Sequence, residues 1–244
     1  MERQIQDKLR EWASTYNAPQ YFTEDPIAFP RRYADLMKKG QACLQDVEIA
    51  ALMAGHLAWG RRSMIVRDTE RLMSQMNHKP YEYVMEGVWR DEPTSLHRTI
   101  KWCDIARIMS RLRDIYRHCD SIEQMSIEEI RCDIFGAKPD KKAANKKINM
   151  IRRWMVRDDG IVDLGLWKNS SKKNLLIPLD VHVHRSAMEL GLTSRNSTDI
   201  NTVMEITAAM EEVFPGDPCL GDFALFGHGV SRSGEREETI KHKL

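Results

Sequence analysis

Two stretches of this chain carry residues whose types and spacing could do chemistry. The first is Asn174-Leu-Leu-Ile-Pro-Leu-Asp-Val-His-Val-His-Arg-Ser-Ala-Met-Glu-Leu-Gly-Leu192, where an apolar run ends near Pro178 and an amphipathic helical pattern begins after Asp180. Aspartate is a strong N-cap, because its carboxylate accepts hydrogen bonds from the free amides of the first helical turn. The positive end of the helix dipole also keeps such a carboxylate ionised. Asp180 is therefore expected to be fixed and negative, either an ordinary cap or a charge aimed at a developing cation. The second stretch is Ala143-Ala-Asn-Lys-Lys-Ile-Asn-Met-Ile-Arg-Arg-Trp-Met-Val-Arg157, which places Lys146 and Lys147 one turn inside a helix predicted over about 141–157. Ile148, Ile151 and Met155 form an apolar stripe, with Met150 and Trp154 beside it. Lys146 stands one turn from Met150 and Lys147 one turn from Ile151. A lysine partly desolvated there, among Lys141 and Lys142 and near the dipole's positive end, loses its proton more readily than a solvated one. Such an amine is a nucleophile for Schiff-base chemistry; on an open basic helix it is only a surface charge.

Asp180, His182 and His184 allow a rival reading. On a strand, alternation would put all three on one face as a divalent-metal cluster for hydrolysis. On a helix, residues two apart diverge by roughly 200° and cannot converge on one ion. The N-cap position of Asp180 and the helical pattern from Arg185 to Leu190 favour the helix, which leaves no metal and makes His182 a hydrogen-bonded structural residue. Asp222 stands in a Gly-Asp-Phe context at another helix start and reads as a cap.

The elements that must hold these residues are helical almost throughout. A first helix is predicted over 2–16 and an aromatic, Pro-rich loop over Asn17 to Arg32. Asp46 reads as the cap of a central apolar helix from Val47 to Trp59. A further helix covers about Ser63 to Met76, and two or three more fit between Pro80 and Phe135. Residues 161–178 read as irregular, followed by helices near 181–190, 198–213 and 218–230 and a frayed tail from Ser233. The fold class is all-α.

Composition bounds the rest. The chain has 244 residues, 42% hydrophobic and 30% charged, with a formal net charge of +1. That length supports one large domain or two smaller lobes. The longest uncharged apolar stretch, Ile49 to Gly60, is too short to span a bilayer, and Met1-Glu-Arg-Gln-Ile-Gln-Asp-Lys8 has no signal-peptide core. A cytoplasmic protein with no membrane partner is expected. Five single cysteines fit reduced thiols and not a disulfide framework or zinc site. Charge is uneven: Lys138 to Lys173 holds eleven Lys and Arg against four Asp, enough for a phosphate footprint or a solvated basic face.

The run Ile177-Pro-Leu-Asp-Val-His-Val-His-Arg185, ending in Leu190-Gly-Leu192, resembles the catalytic-aspartate segment of the helix-hairpin-helix DNA glycosylase superfamily. There a Pro/Val-rich approach leads into Asp-x-His and a helix ending near Leu-Gly-Leu. The resemblance extends from about Asp46 to Gly229. Asp46-Val-Glu-Ile-Ala-Ala-Leu-Met-Ala-Gly-His-Leu-Ala-Trp-Gly60 looks like the opening helix of the six-helix lobe. Asp217-Pro-Cys-Leu-Gly-Asp-Phe-Ala-Leu-Phe-Gly-His-Gly229, with Arg152-Arg-Trp-Met-Val-Arg157, is similar to a branch of bacterial proteins of about this length within that group.

The resemblance implies a two-lobed helical glycosylase-like fold with a central cleft, one lobe spanning 45–165 and the other 1–44 with 166–244. It implies excision of a damaged base from double-stranded DNA, an oxidised purine such as 8-oxoguanine fitting best, by a monomer without a cofactor. Asp180 would stabilise the oxocarbenium-like sugar. In bifunctional members a lysine attacks the anomeric carbon and adds a lyase step. Familiar members carry it in a Gly-x-Gly hairpin nearer the aspartate, where this chain has neither lysine nor hairpin. The archaeal 8-oxoguanine glycosylases have a diverged hairpin and a wider spacing. Lys146 lies thirty-four residues before Asp180, and Ile148-Asn-Met-Ile-Arg-Arg-Trp-Met155 resembles the apolar-basic helix of that branch. Lys146 is thus the first choice of nucleophile and Lys147 the second. His56, Trp59 and Trp167 are the expected walls of a base pocket, and Arg61, Arg62, Lys141 and Lys142 the expected phosphate contacts. The non-enzymatic alternative is a helical nucleic-acid-binding protein on the same scaffold.

Overall fold

A computed structural model describes the backbone of residues 1–241 and the side chains of residues 1–230. The elements are α1 (Arg3–Tyr16), α2 (Ala28–Lys38), α3 (Leu44–Leu57), α4 (Arg62–Gln75), α5 (Pro80–Glu86), β1 (Ser95–His97), β2 (Ile100–Lys101), α6 (Trp102–Tyr116), α7 (Ile127–Glu129), α8 (Lys146–Val156), α9 (Val181–Glu189), α10 (Ile200–Val213) and α11 (Leu220–Lys241). The only sheet among the described residues is the antiparallel ribbon β1–β2, with Ser95 opposite Lys101 and His97 opposite Ile100. The all-α expectation holds. No helix among the described residues is long and apolar enough to cross a membrane.

Four local differences from the sequence reading have physical causes. Helix α2 occupies part of the expected loop, because Pro30 falls in its first turn, where the missing N–H is no loss. Asp46 is not the N-cap of α3 but its third residue. Its Oδ2 accepts the Cys43 amide at 2.9 Å to close a capping box, and its Oδ1 takes the Tyr81 amide at 2.9 Å, tying α5 to α3. Helix α8 starts at Lys146 and not near 141: Asn145 has a φ of 49°, a left-handed backbone that breaks the helix before it. Helix α11 continues to Lys241, past the expected fraying point at Ser233, whose side chain lies outside the described residues.

The chain divides into two compact units. One contains residues 1–21, 140–153 and 171–244; the other contains 22–139 and 154–170. Residues 22–44, 140–153 and 166–170 thus lie on different sides from those that boundaries at 45 and 165 give them.

The first unit packs α1, α9, α10 and α11 around a core that includes Leu9, Ile177, Leu179, Val183, Ile206, Met210 and Leu225. Each such fully buried aliphatic side chain contributes roughly 1.5–3 kcal/mol. The second unit is built on α3, where every residue from Val47 to Gly55 is buried. Within that buried run stands one acidic residue, Glu48, at 0% exposure. Its carboxylate accepts from Trp167 Nε1 at 2.8 Å, Ser121 Oγ at 2.6 Å and Tyr116 Oη at 2.9 Å, which fastens three distant segments to α3. Burial pushes this carboxyl above the usual range, against the pull of its donors.

Replacing Glu48 by Leu strands three buried donors, and we expect urea denaturation to show a loss of about 3 kcal/mol. Trp167→Phe removes one donor only and should cost about 1 kcal/mol. Because the folded carboxyl is raised, its contribution is fullest in acid and declines as pH rises through the folded value; Glu48→Gln should flatten that decline.

Candidate active site

The apolar run before Asp180 is a core strap of the first unit. Leu175, Ile177 and Leu179 are buried, and the Ile177 amide donates to Thr207 Oγ1 of α10 at 3.1 Å. The strap delivers Asp180 to the N-cap of α9, where its Oδ1 accepts the amides of His182 and Val183, both at 2.9 Å. The other oxygen, Oδ2, lies 3.6 Å from Lys146 Nζ. The two side chains are 14% and 34% exposed, so both can be reached from solvent. Lys146 is the first residue of α8, so the pair joins two helix N-termini.

Each partner is fixed from behind by α11. Arg153, one helical face along α8, forms a buried ion pair with Asp222 in the first turn of α11, and its guanidinium lies 4.4 Å from the centre of the Phe223 ring. Asp222 is thus the buried partner of α8. Helix α9 is held by Ser186 Oγ donating to the Leu225 carbonyl at 2.9 Å and by Arg185 donating to the Gly229 carbonyl at 2.9 Å. Gly229 is required there. A Cβ would come 2.9 Å from Ser186 Oγ and 3.0 Å from the His182 carbonyl oxygen.

The basic segment before α8 is pinned as well. The Lys142 amide donates to Asp140 Oδ1, and the Lys142 carbonyl accepts from the Ile200 amide at 3.0 Å, beside the Asp199 cap of α10. The Thr202 amide, with help from Ser197 and Arg195, holds the Asp199 carboxyl down at about 2. Lys141 and Lys142 project as exposed side chains from this anchored turn. Lys147 differs from both: burial, reinforced by the charge of Lys146, pulls its ammonium down to about 8.

The expected base-pocket residues and Arg61 and Arg62 belong to the second unit. Trp167 is 1% exposed and donates to Glu48, so it is a core residue and offers no face to a base. His56 stacks on Phe135 at 4.8 Å, and Arg98 lies 4.2 Å over the Trp59 ring. Arg61 and Arg62 are exposed at the start of α4, with Arg62 3.7 Å from Asp25. His182 and His184 diverge along α9: the first meets Phe226 edge-on, while the second bonds to the Arg195 carbonyl at 2.8 Å. The three-residue metal cluster needed a strand and does not form.

A family model described as "Protein of unknown function (DUF2400)" matches residues 25–134 and 131–231. The chain belongs to this family. No curated protein and no solved structure matches it. The second matched stretch of DUF2400 holds Lys146, Lys147, Arg153, Asp180, Asp222 and Gly229 together.

Arg153 and Asp222, which position the site, escaped the sequence reading because their pairing spans 69 residues. The signal available was an Asp beside Phe223 in a helix start and an Arg on the apolar side of a basic helix.

Asp180→Asn keeps a cap acceptor and should leave stability within about 0.5 kcal/mol, whereas Asp180→Ala should cost about 1 kcal/mol in the same denaturation assay. The Lys147 ammonium lies below the ordinary lysine value of 10.5, so below pH 8 the fold carries the full cost of burying a charge. That cost disappears as pH rises from about 8 to 10.5. Lys147→Met should therefore raise the melting temperature most at neutral pH, with the gain shrinking toward pH 10.5.

Proposed function

We propose that this protein is a DNA glycosylase of the helix-hairpin-helix kind, on a two-lobed glycosylase-like fold, that removes a damaged base and carries a lysine-dependent lyase step. The observation that supports it is the 3.6 Å approach of Lys146 Nζ to Asp180 Oδ2 across two helix N-termini. Residues thirty-four apart in sequence, selected for complementary roles at one sugar, stand beside each other in a single unit.

In this reading a damaged nucleotide leaves the stack, at a cost of a few kcal/mol that is lower for a weakened pair. The C1′–N bond breaks, its electron pair leaves with the base, and the base takes up a proton. Asp180, already anchored through Oδ1, supplies fixed negative charge where the sugar becomes cationic. The lysine amine, deprotonated to solvent, adds to C1′, and loss of its second proton with ring opening gives the imine. Lys141 and Lys142 hold phosphates without reading sequence. An oxidised purine is the proposed lesion class.

The second reading, a non-enzymatic nucleic-acid-binding protein, draws on the exposed charges of Lys141, Lys142, Arg61 and Arg62. Borohydride separates the two. On lesion-containing duplex it should trap a covalent complex that is lost in Lys146→Ala and kept in Lys147→Ala. Loss in Lys147→Ala instead, with trapping that rises through pH 8, would move the nucleophile to Lys147. No trapping and no base release over a broad lesion panel, with salt-dependent duplex binding that survives Asp180→Asn, would leave the binding protein.

A further inference from the structure

The second unit contains a basic cavity that the site above does not use. It has a volume of about 600 Å³, opens to solvent, and is lined by Arg67, Arg71, Arg90, Glu70, Ser74 and Trp102 among others. Arg67 and Arg71 are one turn apart on α4, so they share a face and repel each other. Asp68, 1% exposed, makes that tolerable. It accepts from Arg67 Nε at 2.8 Å, lies 3.6 Å from Arg71 Nη1, and meets His97 Nδ1 at 2.8 Å. Burial alone would raise this carboxyl, but the bonds from Arg67 and His97 outweigh it and hold Asp68 below the usual range.

One buried carboxylate thus orients two guanidiniums by their edges and leaves other donors over. Each guanidinium has five N–H bonds. Arg67 commits only Nε, and its terminal nitrogens make no hydrogen bond among the described residues. Arg71 gives Nη1 to the Leu96 carbonyl at 3.1 Å. Arg90 gives Nη2 to Glu92 at 2.8 Å and lies 4.4 Å over the Trp102 ring. The one lining carboxylate, Glu70, is taken by both terminal nitrogens of Arg32, at 2.7 and 3.2 Å. Two further donors in the wall, Arg90 Nε and Trp102 Nε1, are buried without an acceptor. The wall therefore holds a surplus of cationic donors, and its one carboxylate is already paired with Arg32.

We infer that this cavity binds a phosphoryl oxyanion gripped by Arg67, Arg71 and Arg90. A planar carboxylate matches one guanidinium fork; three guanidiniums around one cavity suit the several oxygens of a tetrahedral phosphoryl group. Two sources share that chemistry, the backbone of a nucleic acid and a free phosphorylated small molecule. The inference stands independently of the glycosylase reading, since no residue of the Lys146–Asp180 pair takes part.

The test uses the full chain and three variants, Arg67→Gln, Arg71→Gln and Arg90→Gln, each checked for folding by circular dichroism. The Arg67 side chain is 63% exposed, so Arg67→Gln is the variant least able to disturb the fold. Inorganic phosphate and an undamaged DNA duplex are titrated separately at constant ionic strength. Loss of one charge-assisted contact should weaken binding roughly tenfold. A loss for the duplex, with a shallower salt dependence, assigns the site to a nucleic-acid strand. A loss for phosphate alone assigns it to a small phosphorylated molecule. Unaltered binding of both probes in all three variants overturns the inference. Borohydride trapping on the same proteins keeps the outcomes apart, because these variants leave Lys146 and Asp180 in place.

Discussion

The candidate site depends on how one carboxylate divides its two oxygens. Oδ1 of Asp180 takes two amides of α9 and cannot move without uncapping the helix, while Oδ2 faces Lys146. A carboxylate with both oxygens in caps would be structural, and one with neither would swing. The division works because the strap before Asp180 is buried in the first unit's core and because α11 holds α8 and α9 from behind. Electrostatic preorganisation of this kind is useful because the charge is in place before the reaction calls for it.

The same device recurs elsewhere in the chain with different consequences. Glu48, Asp68 and Asp222 are each buried acidic residues that accept hydrogen bonds. Glu48 receives neutral donors and joins segments of the second unit. Asp222 meets Arg153 and fixes helix against helix. Asp68 meets two arginines and a histidine, so its surroundings keep more positive charge than it cancels. Burying a carboxylate is costly in all three cases, and the identity of the donors decides what that cost secures. Neutral donors yield a structural tie; surplus cationic donors yield a surface suited to an anion.

Much of the architecture was legible in the sequence. Hydrophobic periodicity located α1, α4, α9 and α10 closely, and the uniformly apolar run after Asp46 identified α3 as a core helix. Asp180 was legible as a cap because capping is local chemistry. What escaped was either hidden by a local exception or set by distance. Pro30 read as a loop residue because its tolerance in a first helical turn depends on where that turn begins. The left-handed Asn145 moved the start of α8 to Lys146, which put both lysines at the helix end instead of one turn inside. Trp167 read as a candidate base wall because an indole suits stacking, and only the 119-residue reach to Glu48 shows it as a core donor. The arginine cradle carried a visible signal, two arginines four apart flanking an aspartate, but His97 and Arg90 come from other elements.

Moving the start of α8 also sharpens the difference between its two lysines. Both lysines stand at the first two positions of a helix, the end where positive charge is disfavoured. Lys146 is compensated by Asp180 at 3.6 Å, and Lys147 instead loses solvent and feels Lys146 as a like charge. Adjacent residues of one type thus have opposite electrostatic situations, one ion-paired and one poised to shed its proton near pH 8. The two lysines are thus not interchangeable: Lys146 is held beside Asp180, and Lys147 is the amine whose proton burial loosens.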